Sequence, residues 1–257
     1  MPANLPTSEW GLVSRALPQP TVDNQEREMR VGRYGSQFTE SLIPTKHVLA
    51  DEGSYYVSTN PTPGTGLAYN VQASFSDTVP FIYIFNQSLP SDAANKRLYL
   101  DYIKIIVTVA AVTGTQAFYA VKSDNVARAI TTNNTTAITP ANVNSDVGAQ
   151  ALAQVRSQTS ATASAIAAAS ANARVLARGG FGGITIVGDE LVILFGSPDP
   201  GAYAGLTAAQ AVCPGRKVSN SPPLIIGPQQ SATVHLWFPG NATTGLSYEL
   251  EMGHWER

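Results

Sequence analysis

From Asp51 onward, apolar residues recur in short runs cut by clusters of Gly, Pro, Asn and Asp, a texture that predicts the strands of a sandwich or barrel. The clearest period lies between Gly245 and Trp255. There Leu246, Tyr248, Leu250 and Met252 alternate with Ser247, Glu249, Glu251 and Gly253, as in a strand with one wet face. Between Arg97 and Val112 both parities are apolar: Tyr99, Ile103, Ile105, Val107 and Val109 on one side, Leu100, Tyr102 and Ile106 on the other. That is the composition of a central strand. After Thr113-Gly114-Thr115, residues Gln116 to Lys122 read as its hairpin partner. A second hairpin is predicted from Gly183–Val187 and Glu190–Phe195, its Gly188-Asp189 turn requiring a residue at positive φ. Pro80–Asn86, Leu224–Ile226 and Ser231–Phe238 complete about eight strands, enough for two packed sheets.

Two stretches break the pattern. Residues 1–50 contain Pro2, Pro6, Pro18, Pro20 and Pro44 and little periodicity, which predicts an extended arm rather than a domain. Its large apolar residues are sparse: Trp10, Leu12 and Val13, then Val31, Tyr34, Phe38, Leu42 and Ile43. Such an arm buries too little apolar surface to order itself, and at about 3.3 Å per residue it reaches on the order of 165 Å. Trp10, Leu12, Val31, Tyr34, Phe38, Leu42 and Ile43 are its candidate anchors on a partner. Residues 147–178 are rich in Ala, Ser and Thr. Alanine favours helix, but the interspersed Ser, Thr and Asn oppose it, so two small-residue strands are expected, with a helix or projecting loop as alternatives. The domain reading is an arm over 1–50 and one β-sandwich over 51–257.

Composition narrows the function. Charged residues make up only 13% of the 257, net charge is -2 and the isoelectric point is near 5.9. With no basic run, no global field favours a nucleic acid partner. The longest apolar run, Ile105–Val112, is too short for a bilayer, and the first twenty residues carry no secretory leader, so a soluble protein assembled in a cytoplasm is expected.

Candidate chemistry is thin. Cys213 is the single cysteine, which excludes an intrachain disulfide. The three histidines, His47, His235 and His254, lack the paired spacing by which imidazoles converge on a metal. His235 and His254 fall on neighbouring predicted strands, where cross-strand proximity is conceivable, but Glu249 and Glu251 have the opposite parity to His254. Asp51-Glu52 and Asp189-Glu190 read as turn carboxylates, since adjacent strand residues face opposite ways. The Gly179–Gly183 run lacks the ending of a phosphate loop and reads as a flexible corner. The sequons at Asn86, Asn134 and Asn241 carry no weight without a leader. Trp237, Trp255, Tyr55, Tyr56 and Tyr69 would support sugar stacking only if exposed in a cleft. No catalytic, cofactor-binding or metal residue is assigned, and the protein is expected not to be an enzyme.

The stretch from Arg30 to Ala68, the RLYLDYIKIIVTVAAVTGT strand and turn, the GDELVILFG segment and the ending IIGPQQSATVHLWFPGNATTGLSYELEMGHWER together resemble structural proteins of tailed-bacteriophage virions. The resemblance is one of texture and segment order. It implies a jelly-roll-like cement or decoration protein, trimeric, bound through its arm to the lattice of the major capsid protein.

Overall fold

Alternation decides which way each strand faces. Leu246, Tyr248, Leu250 and Met252 are all buried, as their period predicts, while Ser247, Glu249 and Glu251 are partly open to solvent. The computed structural model describes residues 45–60, 62–69, 72–91, 95–109, 117–130, 135–148, 150–158, 165–181, 187–196, 216–239 and 246–257. In chain order the elements are α1 (Thr45–Asp51), β1 (Tyr55–Thr59), β2 (Leu67–Tyr69), β3 (Ile82–Asn86), β4 (Leu98–Val109), β5 (Ala117–Asp124), β6 (Thr135–Ile138) and β7 (Pro140–Asn142). They continue as β8 (Ala153–Gln158), β9 (Arg174–Phe181), β10 (Glu190–Phe195), β11 (Arg216–Ser221), β12 (Ile225–Ile226), β13 (Ser231–Trp237) and β14 (Leu246–Glu256).

The strands form an all-β sandwich of two sheets. One runs β11-β10-β4-β14-β1-β7, with β12 beside β4 and β2 beside β14; the other runs β6-β8-β3-β13-β5-β9. Successive strands repeatedly cross from layer to layer. At one edge the chain passes from β6 to β7 through Thr139 alone and so changes sheets. At the other edge β9 and β11 meet. Among the strands described, pairing is antiparallel except between β10 and β11, which run parallel; one isolated parallel bridge joins Gln72 to Trp237.

Two expected hairpins are corrected. β4 and β5 lie in different sheets: β4 pairs with β14, β10 and β12, whereas β5 pairs with β13 and β9. β10 pairs with β4 and β11, and residues 183–186 of its expected partner lie outside the described residues. Gly188 does take the required positive φ, 92°, but its N–H donates to Val107 and so docks the turn on β4. The small-residue segment contributes β8 and the start of β9 as strands, with irregular chain over 165–173 between them. The helix α1 straddles the boundary expected at residue 50.

Alternation along β4 is interrupted twice. Against β14, Tyr102 pairs with Gly253 and Leu100 with His254, so Asp101 is an extra residue; Thr108 is extra in the same way between Val107 and Val109. Each bulge reverses the facing of the strand beyond it. Leu98 and Leu100 therefore share the core with Ile103, Ile105 and Val107, whereas Val109 is exposed. The bulge also works with Gly253. A Cβ there would come within 2.5 Å of both Tyr55 Oη and a Tyr102 ring carbon, so glycine is what lets the two tyrosines converge over β14.

The core joins both sheets through Phe81, Ile82, Ile84, Tyr119, Val121, Val234 and Leu236 on one side and Leu98, Ile103, Tyr248 and Met252 on the other. Polar ties cross it as well. Tyr248 and Ser157 are joined by their hydroxyls, as are Tyr119 and Ser219. Glu256, 1% exposed on β14, accepts the N–H groups of Leu152 at 2.7 Å and Ala153 at 3.0 Å at the start of β8. Buried donors left without an acceptor are costly, so Glu256→Ala is expected to destabilise the domain by about 2–3 kcal/mol in urea unfolding. Glu256→Gln, which keeps an acceptor oxygen, should lose less; equal stability of Glu256→Ala and wild type would show that this tie contributes nothing.

Candidate functional site

On β13 the outward residues Ser231, Thr233 and His235 are as buried as the inward Ala232, Val234 and Leu236. Irregular chain from residues 72–80, 125–130 and 165–173 covers that outer face. Ser231 Oγ donates to the Val126 carbonyl, Tyr83 Oη donates to the Arg128 carbonyl, and Phe75 packs against His235 and Trp237.

A charged cluster holds this cover in place. Arg128, 4% exposed, donates through Nη2 to Asp77 Oδ2 and to the Asp77 carbonyl, both at 2.8 Å, and through Nε to the Ala167 carbonyl at 2.9 Å. Lys122 of β5 pairs with the other Asp77 oxygen, and the Ala169 N–H donates to Oδ2 at 2.8 Å. One carboxylate thus joins all three covering segments to the sheet. Burial pushes the Asp77 carboxyl up, but the Lys122 and Ala169 hydrogen bonds and the two cations outweigh it and leave it below its ordinary value of 3.8. Nearby, burial drives His235 down to about 3, with Asp77 opposing and Lys122 and Arg128 assisting.

The outer face of the larger sheet carries a second network, built around the Asp101 bulge. Asp101 accepts from Tyr55 Oη at 2.7 Å and Lys46 Nζ at 2.6 Å; Glu251 accepts from Tyr102 Oη at 2.6 Å and Lys104 Nζ at 2.7 Å. Both tyrosines are raised above their ordinary value by burial first and then by these carboxylates. Beside them Tyr99, Trp255 and Tyr55 form a row across three strands, with centroids 5.6 and 6.5 Å apart and planes within 2° and 18° of parallel. On the other sheet Phe118 and Trp237 stand 6.0 Å apart at 23°.

Several expectations about chemistry now have positions. His235 and His254 do not approach each other, because β13 and β14 lie in opposite sheets. His235 hydrogen-bonds Thr233 at 2.9 Å, and His254 stacks on Tyr56 with Nε2 3.4 Å from Glu256. Glu249 and Glu251 face away from His254, as their parity predicts. Asp189 is buried 3.6 Å from Lys217, so it is more than a turn residue. Gly179 and Gly180 belong to β9 rather than to a flexible corner, and a Cβ on Gly179 would meet the Tyr119 ring. Asn86 is fully buried, bonding Lys96 and Ile226 carbonyls and the Ser88 N–H, so its sequon is closed. Tyr55, Tyr56 and Tyr69 are buried. The remaining rings, Trp255 and Trp237, each lie in a row of near-parallel aromatics on the outside of a sheet.

The expected arm anchors Trp10, Leu12, Val31, Tyr34, Phe38, Leu42 and Ile43 lie outside the described residues, as does Cys213. Among the described residues no group of three or more His, Cys, Asp and Glu is placed to hold a metal, and no helix is long and apolar enough to cross a membrane. A groove of about 510 Å³ runs along β6, β7 and the start of β8 and is lined by small and amide side chains such as Asn142, Gln150 and Gln154. Sequence reasoning missed the Asp77, Lys122 and Arg128 cluster, whose members are scattered over fifty residues without a common spacing.

Comparison with protein-family models, with curated proteins and with solved structures finds no match for the chain. Its function is therefore to be sought in its own residues.

The cluster has a pH signature. In the unfolded chain His235 gains a proton near pH 6.5, but in the fold it does so only near 3, so its stabilising contribution is complete above 6.5 and declines as pH falls from 6.5 toward 3. Asp77, depressed in the fold, stabilises above its unfolded pKa and loses that contribution as pH falls through its folded value. Urea unfolding across this range should show a shallower acid slope for His235→Phe between pH 6.5 and 4. Asp77→Asn should instead flatten the profile below about pH 4 and lower stability at neutrality; superimposable profiles would refute the assignment.

Proposed function

We propose that the chain is a non-enzymatic virion structural protein, a cement or decoration protein that stabilises a capsid by binding the lattice of the major capsid protein. In this reading the sandwich sits on the shell and residues 1–50 grip it. The observation that carries the proposal is where the sandwich spends its buried polar groups. Asp77 and Arg128 hold the covering segments to one sheet and Glu256 ties the two sheets together, while apolar side chains such as Phe75, Val175 and Ile225 remain outside, 42–56% exposed. A rigid scaffold with apolar contact points suits assembly.

A ligand specific to the assembled state stabilises that state by mass action, and a gripping arm adds contact area at a cost in ordering entropy. The protein would work as a homo-oligomer, with a trimer favoured, without direct contact to nucleic acid or membrane, in the capsid of a virion assembled in the host cytoplasm. A tail, spike or fibre component of the same particle is the second reading. A carbohydrate-binding module is a further reading, for which Tyr55, Tyr56 and Tyr69 offer no platform because they are buried.

The test is co-sedimentation with shells of the major capsid protein. Replacing Trp10 and Leu12 together by Ala should weaken binding about ten-fold, as loss of two anchors does, with the urea midpoint of the sandwich unchanged. Unaltered occupancy of the shell by this variant would overturn the arm's role, and saturable glycan binding by the wild-type chain would favour the module instead.

A further inference from the structure

The two edges of the sandwich carry opposite charge around an exposed valine at each. At the β9 edge, Val175 is 56% exposed between Arg174 and Arg178, both exposed and neither in an ion pair among the described residues. Lys217 of the adjoining β11 faces Asp189. At the opposite edge, the turn after β7 packs on the turn after α1. Asn142 and Asn144 donate to the Gly53 and Asp51 carbonyls, and Val147 fills the space beside Gly53. That contact brings Asp51 and Asp146, both exposed and unpaired among the described residues, to one corner with Val143, which is 44% exposed. Glu52 at the same corner is already paired with Arg257 at 2.7 Å.

We infer that the partner of each edge is the opposite edge of a second copy of this chain, Arg174 and Arg178 meeting Asp51 and Asp146 around Val175 and Val143. The charge pattern decides for a head-to-tail contact. Two β9 edges brought together would set arginine against arginine, and two acidic corners would set aspartate against aspartate, whereas one of each is complementary. Among the described residues β9 ends its sheet with no hydrogen-bonded strand on its outer side, with β11 of the other sheet beside it, which makes it a natural place for a neighbour to sit. A contact between unlike surfaces propagates into a closed ring or an open chain, depending on the rotation between copies. The inference rests on the assembly reading for its purpose but makes a separate claim about which surfaces join.

The experiment is sedimentation of the full chain at low and high salt. Wild type should self-associate, less so at high salt. Arg174→Glu with Arg178→Glu, and separately Asp51→Arg with Asp146→Arg, should each weaken association about ten-fold, since each removes two rim charge pairs. Mixing the two variants makes both contacts between them complementary, the reversed pair and the wild-type pair of edges alike, so the mixture should regain association, with alternating copies, that neither variant shows alone. Either variant keeping the wild-type mass, a mixture that does not associate, or a wild type that stays monomeric at low salt would overturn the inference; shell co-sedimentation then decides separately whether the capsid reading stands.

Discussion

A strand of strict period two can serve one core face along its whole length only if its apolar residues keep one parity, and β4 does not. Its apolar set changes parity at Asp101, so an extra residue there is what allows Leu98 and Leu100 to enter the same core as Ile103, Ile105 and Val107. The larger sheet depends on that slip. It keeps β14 paired with β4 over almost its full length, and it turns Asp101 outward to collect Tyr55 and Lys46. Gly253 then supplies the space the converging tyrosines need.

The smaller sheet is organised by a different balance. Burying both faces of β13 requires every polar group on its outer side to find a partner, since unpaired ones are costly in an apolar setting. Ser231 meets this through the Val126 carbonyl, and Thr233 bonds His235, which accepts burial by staying neutral; the cover's own Arg128 is met by Tyr83 and the Asp77 carboxylate. A buried charge cluster of this kind contributes less to net stability than its contacts suggest, because desolvation offsets the attraction; it can instead specify one arrangement of the loops. That view fits a cover built mainly of Ala, Ser and Thr, whose side chains offer little apolar area with which to choose a position.

What could be read from the chain was whatever rested on local periodicity. β14 is recovered nearly residue by residue, and β4 is rightly central, because each carries its own pattern. The partners were another matter. Thr113-Gly114-Thr115 suggests a hairpin on turn chemistry alone, yet β4 and β5 enter different layers, a choice made by contacts more than a hundred residues away in β13 and β14. The parallel β10 and β11 pair has no local signal either. Asp77, Lys122 and Arg128 look like ordinary surface charges until the cover folds over them. The bulge at Asp101 was visible only as an acidic residue amid an apolar run, which in hindsight marks where the parity changes.

The position of β14 has a consequence for the order of events. It lies between β1 and β4, so the larger sheet receives its middle strand after nearly all the others have been made. Until residues 246–256 emerge, β1 and β4 face each other across a gap with unmatched hydrogen-bonding groups on both sides. Loop-closure entropy must be met before so distant a pairing is rewarded, which slows folding of this kind. Vectorial synthesis therefore leaves an incomplete sheet waiting for a late strand, and during that wait any extended segment of another chain can compete for the same slot.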